Sequence, residues 1–138
     1  MKYYDYIMTP AVCDDMHIVL VVDDEEMIEE MMGALVEQYG CPQVSFHDPV
    51  EALRHFRENS RNIVLMVTDL TMPAMSGSDL VRKVLEINPL LPVILIANYM
   101  GESMPGDIPA LVKGIVSKPF TKSEFFDALQ KTVVAVGQ

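Results

Sequence analysis

Five short apolar runs are spaced along the chain, and each is followed by a stretch whose apolar residues recur at helical spacing. The runs cover residues 17–22, 43–46, 63–68, 93–97 and 115–117. The first is a continuous β-branched run with no polar alternation, the mark of a strand buried on both faces. After it, Met27, Ile28, Met31, Met32, Leu35, Val36 and Tyr39 fall on one helical stripe, and Gly40 predicts a left-handed stop. Asp48, Pro49 and Glu51 read as N-cap, first and third positions of a second helix that runs to about Asn59. A third helix carries Leu80, Val81, Val84 and Leu85. In the last, Thr121 and Glu124 form a capping box and Phe125, Phe126, Leu129 and Val133 turn inward. Pro105, Gly106 and Pro109 do not fit a regular helix, so the fourth is short, from near Asp107 to near Lys113.

Apolar strands alternating with helices predict an α/β fold: a flavodoxin-like, doubly wound five-stranded parallel sheet with helices on both faces and a shortened or irregular fourth helix. Right-handed crossovers restrict the strand order, and 2-1-3-4-5 fits best. Residues 1–16, with Tyr3, Tyr4 and Tyr6, read as a flexible N-terminal extension, and 17–138 as the folded domain. The 138 residues are enough for one domain with a substantial core. A net charge of −10 argues against a nucleic-acid surface. No apolar run is long enough to span a bilayer and no secretory leader precedes the first strand, so the expected setting is cytoplasmic. Cys13 and Cys41 predict neither a disulfide framework nor a zinc site. His17, His47 and His55 lack ligand spacing and read as structural or solvated.

The stretch VLVVDDEEM, residues 19–27, ends an apolar strand with four acids in a row. Two unit charges about 4 Å apart repel by roughly 4 kcal/mol at an effective dielectric of 20. In the 2-1-3-4-5 order, strands 1 and 3 are neighbours at the switch point, where ligands bind beyond the carboxyl ends of the strands. Strand 1 ends at Asp23 and Asp24 and strand 3 at Asp69, so three carboxylates reach one crevice. A hard cation such as Mg²⁺, which prefers oxygen ligands, would remove their repulsion. Glu25 and Glu26 read as acids of the first helical turn, favoured by the helix dipole. Lys118, before Pro119 at the end of strand 5, reaches toward the same crevice. Acids, metal and lysine together suit a phosphoryl group, with one carboxylate as nucleophile.

The pieces VLVVDDEE, VTDLTMPAMSG, LPVIL and SKPF resemble the receiver domain of two-component response regulators over roughly residues 17–136. The resemblance implies a phosphoacceptor at Asp69 and an acidic Mg²⁺ pocket at Asp23 and Asp24, with Asp24 the more direct ligand. It further implies a metal contact from the backbone carbonyl of Thr71, a phosphoryl contact from Lys118 and a cis Lys118–Pro119 bond. The phosphoryl donor would be the phosphohistidine of a sensor histidine kinase or phosphotransfer protein, and a downstream protein partner would read the result. Such a domain is a signalling device that phosphorylates and dephosphorylates itself, not an enzyme acting on other substrates. Met72, Pro73 and Gly77 match the family's loop after the phosphoacceptor. Two positions depart: Ala97 stands where the family has Thr or Ser, and Ile115 where it has Tyr or Phe. Those two side chains form the usual switch. Two alternatives therefore stand beside the phosphoacceptor: a receiver-like binding module whose output is weakly or not coupled to phosphorylation, and a Mg²⁺-dependent small-molecule phosphohydrolase. Against the latter, Thr71 occupies the place of a second acid in an Asp-x-Asp pair. No DNA-binding or catalytic output domain is expected within these residues.

Overall fold

The structure, a computed structural model, describes residues 17–98 and 103–137, with side chains as far as residue 132. The N-terminal extension and the side chain of Val133 lie outside the described residues. Among the described residues ten elements alternate: β1 (Ile18–Val22), α1 (Glu26–Tyr39), β2 (Gln43–Phe46), α2 (Pro49–Asn59), β3 (Ile63–Asp69), α3 (Gly77–Ile87), β4 (Val93–Asn98), α4 (Ile108–Leu111), β5 (Gly114–Lys118) and α5 (Lys122–Gly137). The strands are all parallel in the order β2-β1-β3-β4-β5, as the alternation predicts.

Successive residues of a strand point to opposite faces, so the central strands feed two cores. Val19, Val21, Leu65, Val67, Ile94 and Ile96 pack under α1 and α5, against Met32, Val36, Tyr39, Phe125 and Leu129. Leu20, Val22, Met66, Val93 and Leu95 pack under α2, α3 and α4, against Phe56, Leu80, Val81, Val84 and Ile108. Both faces of the sheet are covered, which explains why the strands read as continuous apolar runs.

The helix boundaries follow local chemistry. Gly40 adopts φ 118°, and its N–H donates to the carbonyls of Val36 and Glu37. The Asp48 carboxylate accepts from Val50 N–H at 2.9 Å, and Ser76 Oγ caps α3 by accepting from Asp79 N–H at 3.1 Å. Thr121 and Glu124 close the expected box: Thr121 N–H donates to the Glu124 carboxylate and Glu124 N–H to Thr121 Oγ1, each at 3.1 Å. α4 is a single turn, and Ile108 plugs it into the core.

Two readings need correction. Met27 is 83% exposed, and Met31 also faces outward. At about 100° per residue the two lie well round the helix from the buried arc of Met32, Leu35, Val36 and Tyr39. Cys41 is disulfide-bonded, which two cysteines without motif spacing did not foretell; the other, Cys13, lies outside the described residues. His47, read as structural or solvated, is largely exposed with its Nδ1 3.5 Å from the buried Glu29 carboxylate.

Candidate functional site

Register places the acids. Val22 pairs with Thr68 across β1 and β3, so the next residues, Asp23 just past β1 and Asp69 at the last position of β3, stand level with each other. The ladder continues through Asp23 N–H, which donates to the Phe46 carbonyl at 3.1 Å, and Leu70 N–H, which donates to the Ile96 carbonyl at 2.9 Å. Both carboxylates are therefore held by extended backbone rather than by loops. Asp24 follows on the exposed side. Asp23, Asp24 and Asp69 each offer a carboxylate oxygen, and these oxygens all lie within 4.8 Å of one another.

β5 brings the counter-charge. Asn98 and Lys118 are register partners at the ends of β4 and β5, and the Lys118–Pro119 bond is cis. Lys118 Nζ lies 2.9 Å from Asp23 Oδ2, 3.4 Å from Asp69 Oδ1 and 3.6 Å from a Glu25 carboxylate oxygen. Glu25 is the N-cap of α1, yet its side chain does not cap the helix. This corrects the sequence reading of Glu25 as a first-turn helix acid: it turns to Lys118 instead.

Backbone donors fix the buried carboxylates further. Glu25 N–H donates to Asp23 Oδ1 at 2.9 Å, and Leu70 N–H to Asp69 Oδ1 at 3.0 Å. Asp23 is fully buried, and its Oδ2 has no aligned hydrogen bond, so it depends on the ion pair with Lys118. A buried carboxylate oxygen so placed still has room in its coordination for a cation.

The electrostatics follow from this crowding. Burial pushes the Asp69 carboxyl up to about 7; the charge on Asp23 adds to the rise and Lys118 opposes it. Burial likewise raises Asp23, with Lys118 and the Glu25 N–H pulling it back. Burial would lower Lys118, but its contact with Asp23, then the charges of Asp69 and Glu25, hold it above the usual lysine value. The site thus concentrates negative charge around one ammonium, with a neutralisable carboxyl at its centre.

Gly77 closes the floor. A Cβ there would run into the Asp69 carbonyl oxygen and come within 2.8 Å of Leu70 Cα, and Gly77 N–H donates to the Leu70 carbonyl at 2.7 Å. Glycine is needed at this position for close approach of the α3 start to the strand end. Ala97, the residue after Ile96 in β4, is buried, whereas Ile115 is 47% exposed on β5.

Comparison with known proteins places this arrangement. The family model for the response regulator receiver domain matches residues 19–130. The transcriptional regulatory protein FixJ of Rhizobium meliloti is 31% identical over 122 residues, covering 83% of this chain and 56% of FixJ. The autoinducer 1 sensor kinase/phosphatase LuxN of Vibrio campbellii is 29% identical over 103 residues, covering 75% of this chain and 12% of LuxN. The chain spans little more than half the length of the first relative and far less of the second. Among solved structures, a response regulator receiver domain protein of Clostridium thermocellum superposes with a TM-score of 0.74 at 27% identity, covering 86% of this chain and 94% of that one. Fold, register and family match agree, and the chain belongs to the response regulator receiver domain family of two-component signalling systems.

Proposed function

We propose that the chain is a phosphoacceptor, with Asp69 taking a phosphoryl group from the phosphohistidine of a sensor histidine kinase or phosphotransfer protein. The observation that carries this reading is Lys118 Nζ held between Asp23 and Asp69, at 2.9 and 3.4 Å, beside a cluster of three carboxylates. Asp23, Asp24 and Asp69, with the backbone carbonyl of Thr71, would hold Mg²⁺. The all-oxygen donor set and the buried Asp23 Oδ2 without an aligned hydrogen bond fit such an ion. Ligands sharing one Mg²⁺ at about 2.1 Å lie roughly 3–4 Å apart, a small contraction from the present spread. When bound, the ion supplies positive charge that offsets the carboxylate repulsion and the charge on the transferring oxygens.

The chain's own residues do the rest. Asp69 Oδ1 is fixed by Leu70 N–H and Lys118, which leaves the second oxygen of the ionised carboxylate to attack phosphorus. A new O–P bond forms as the donor's P–N bond breaks, and the electron pair returns to the imidazole nitrogen. Lys118 pairs with a phosphoryl oxygen. Water later attacks the acyl phosphate, releasing inorganic phosphate and regenerating Asp69. The test is intact mass after treatment with a small phosphodonor and Mg²⁺. The expected result is a single phosphoryl adduct that Asp69→Asn abolishes; an unmodified wild-type chain would refute the reading.

A second reading is favoured by two residues. Ala97 has no hydroxyl to bond a phosphoryl oxygen, and Ile115 is an outward aliphatic side chain with no polar end. A hydrogen bond to a charged group contributes about 1.5–3 kcal/mol, comparable to a typical allosteric coupling of 1–3 kcal/mol. On this reading the domain binds its downstream partner with little regard to phosphorylation. Partner affinity that changes strongly on phosphorylation would rule it out.

A further inference from the structure

We infer that Glu25 is a positioning residue that competes with the incoming phosphoryl group for the charge of Lys118 and so slows phosphorylation by small anionic donors. The inference rests on the phosphoacceptor reading of Asp69. An ammonium has three N–H donors, and Lys118 has three carboxylates within 3.6 Å: Asp23, Asp69 and Glu25. The Glu25 contact is an ion pair beyond hydrogen-bond length, so a phosphoryl oxygen on Asp69 competes with it for the ammonium charge. Asp23 is fully buried and Asp69 nearly so, each fixed by a backbone N–H, whereas the Glu25 side chain is 65% exposed and holds the longest contact. Glu25 is the one that yields.

Glu25 occupies the N-cap of α1, where Ser, Thr, Asp or Asn would accept a backbone N–H, and it makes no such bond. Its backbone N–H, not its side chain, serves Asp23. Its charge therefore acts in two ways. It draws on the charge of Lys118 as an ion pair, and it adds a negative charge to a site already holding three, which repels a dianionic donor.

The test compares the wild-type chain with Glu25→Gln, using acetyl phosphate in Mg²⁺ and following the phosphorylated fraction by intact mass. In the productive step an Asp69 oxygen bonds to phosphorus as the donor's bridging P–O bond breaks and acetate leaves. Glu25→Gln is expected to label about three- to tenfold faster, the range in which one rim charge changes approach of a charged partner. The gain should be smaller with phosphoramidate, which carries less negative charge, and a merely structural role would not discriminate by donor charge. The ¹⁵Nζ resonance of Lys118 should also move in the donor-free Glu25→Gln chain. If both chains label at the same rate, or the variant labels more slowly, the inference is overturned and the phosphoacceptor reading stands. If neither chain takes label, both are overturned.

Discussion

Asp69 is where the site's competing demands meet. Its carboxyl is raised from an ordinary value near 4 to about 7, chiefly by burial and then by the Asp23 charge. The folded chain therefore binds this proton more tightly than the unfolded chain does. Stability from the neutral carboxyl is fully present below about pH 4 and is lost as pH rises through 7. Replacing Asp69 with Asn removes the titration and the buried charge. In metal-free buffer Asp69→Asn should match wild type near pH 3.5 and exceed it above pH 7.5, by on the order of 1–3 kcal/mol given about 1.4 kcal/mol per pK unit and partial solvent screening. Urea midpoints across that range would check it, and an equal difference at every pH would contradict it. Part of this residue-level picture was legible: an acid ending each of two apolar runs is a strong sign. The attachment of Glu25 to Lys118 was not, because a carboxylate beside a helix start reads equally well as a dipole partner, and only the fold brings residue 118 to residue 25.

Among the elements, α4 owes least to its own sequence and most to its neighbours. One helical turn has no independent stability. It is held by Ile108 in the core and by a two-pronged contact from α3: Arg82 Nε donates to Asp107 Oδ2 at 3.0 Å and Nη2 to Oδ1 at 2.8 Å. Arg82 also meets Asp79 within α3, at 3.2 Å. The planar guanidinium suits a bidentate carboxylate better than lysine would. Removing the fork with Arg82→Ala should speed amide exchange at Val112, whose N–H donates to the Ile108 carbonyl, by about three- to tenfold while α1 is unaffected. Arg82→Lys should recover only part of the protection. Exchange at Val112 unchanged in Arg82→Ala would show that Ile108 alone anchors the turn. The late start of α4 could be read from Pro105 and Gly106, which disfavour a helix for local reasons, whereas Pro109 sits in the first turn of α4, where proline is tolerated. Its clamp could not, because Arg82 and Asp107 are separated by 25 positions and neither lies in a recognisable pattern.

At the scale of the molecule, the site joins the two central strands, so what binds there stabilises the whole sheet rather than a loop. Topology was legible because burial of both sheet faces writes itself into continuous apolar runs, and the strand ends then fix which acids meet. The outward turn of Met27 and Met31 depends on packing that hydrophobicity alone does not encode, and no spacing motif announced the disulfide at Cys41. The joining of β1 and β3 by three mutually repelling carboxylates gives a global test of the Mg²⁺ reading. An ion that binds the folded chain and not the unfolded one adds RT ln(1 + [L]/Kd), about 1.4 kcal/mol at tenfold excess over Kd. For a domain of this size that raises Tm by roughly 3–5 °C. The same ion must compete with the Asp69 proton, so the gain should be full at pH 8 and much smaller at pH 5.5, below the raised value of about 7. Calorimetry in Mg²⁺ against a chelator at the two pH values would measure both numbers. Asp69→Asn, which lacks the Asp69 proton and has one charge fewer to bind, should show a smaller Tm gain that changes less between them. A wild-type Tm indifferent to Mg²⁺ at pH 8 would mean the carboxylates settle their repulsion through Lys118 alone.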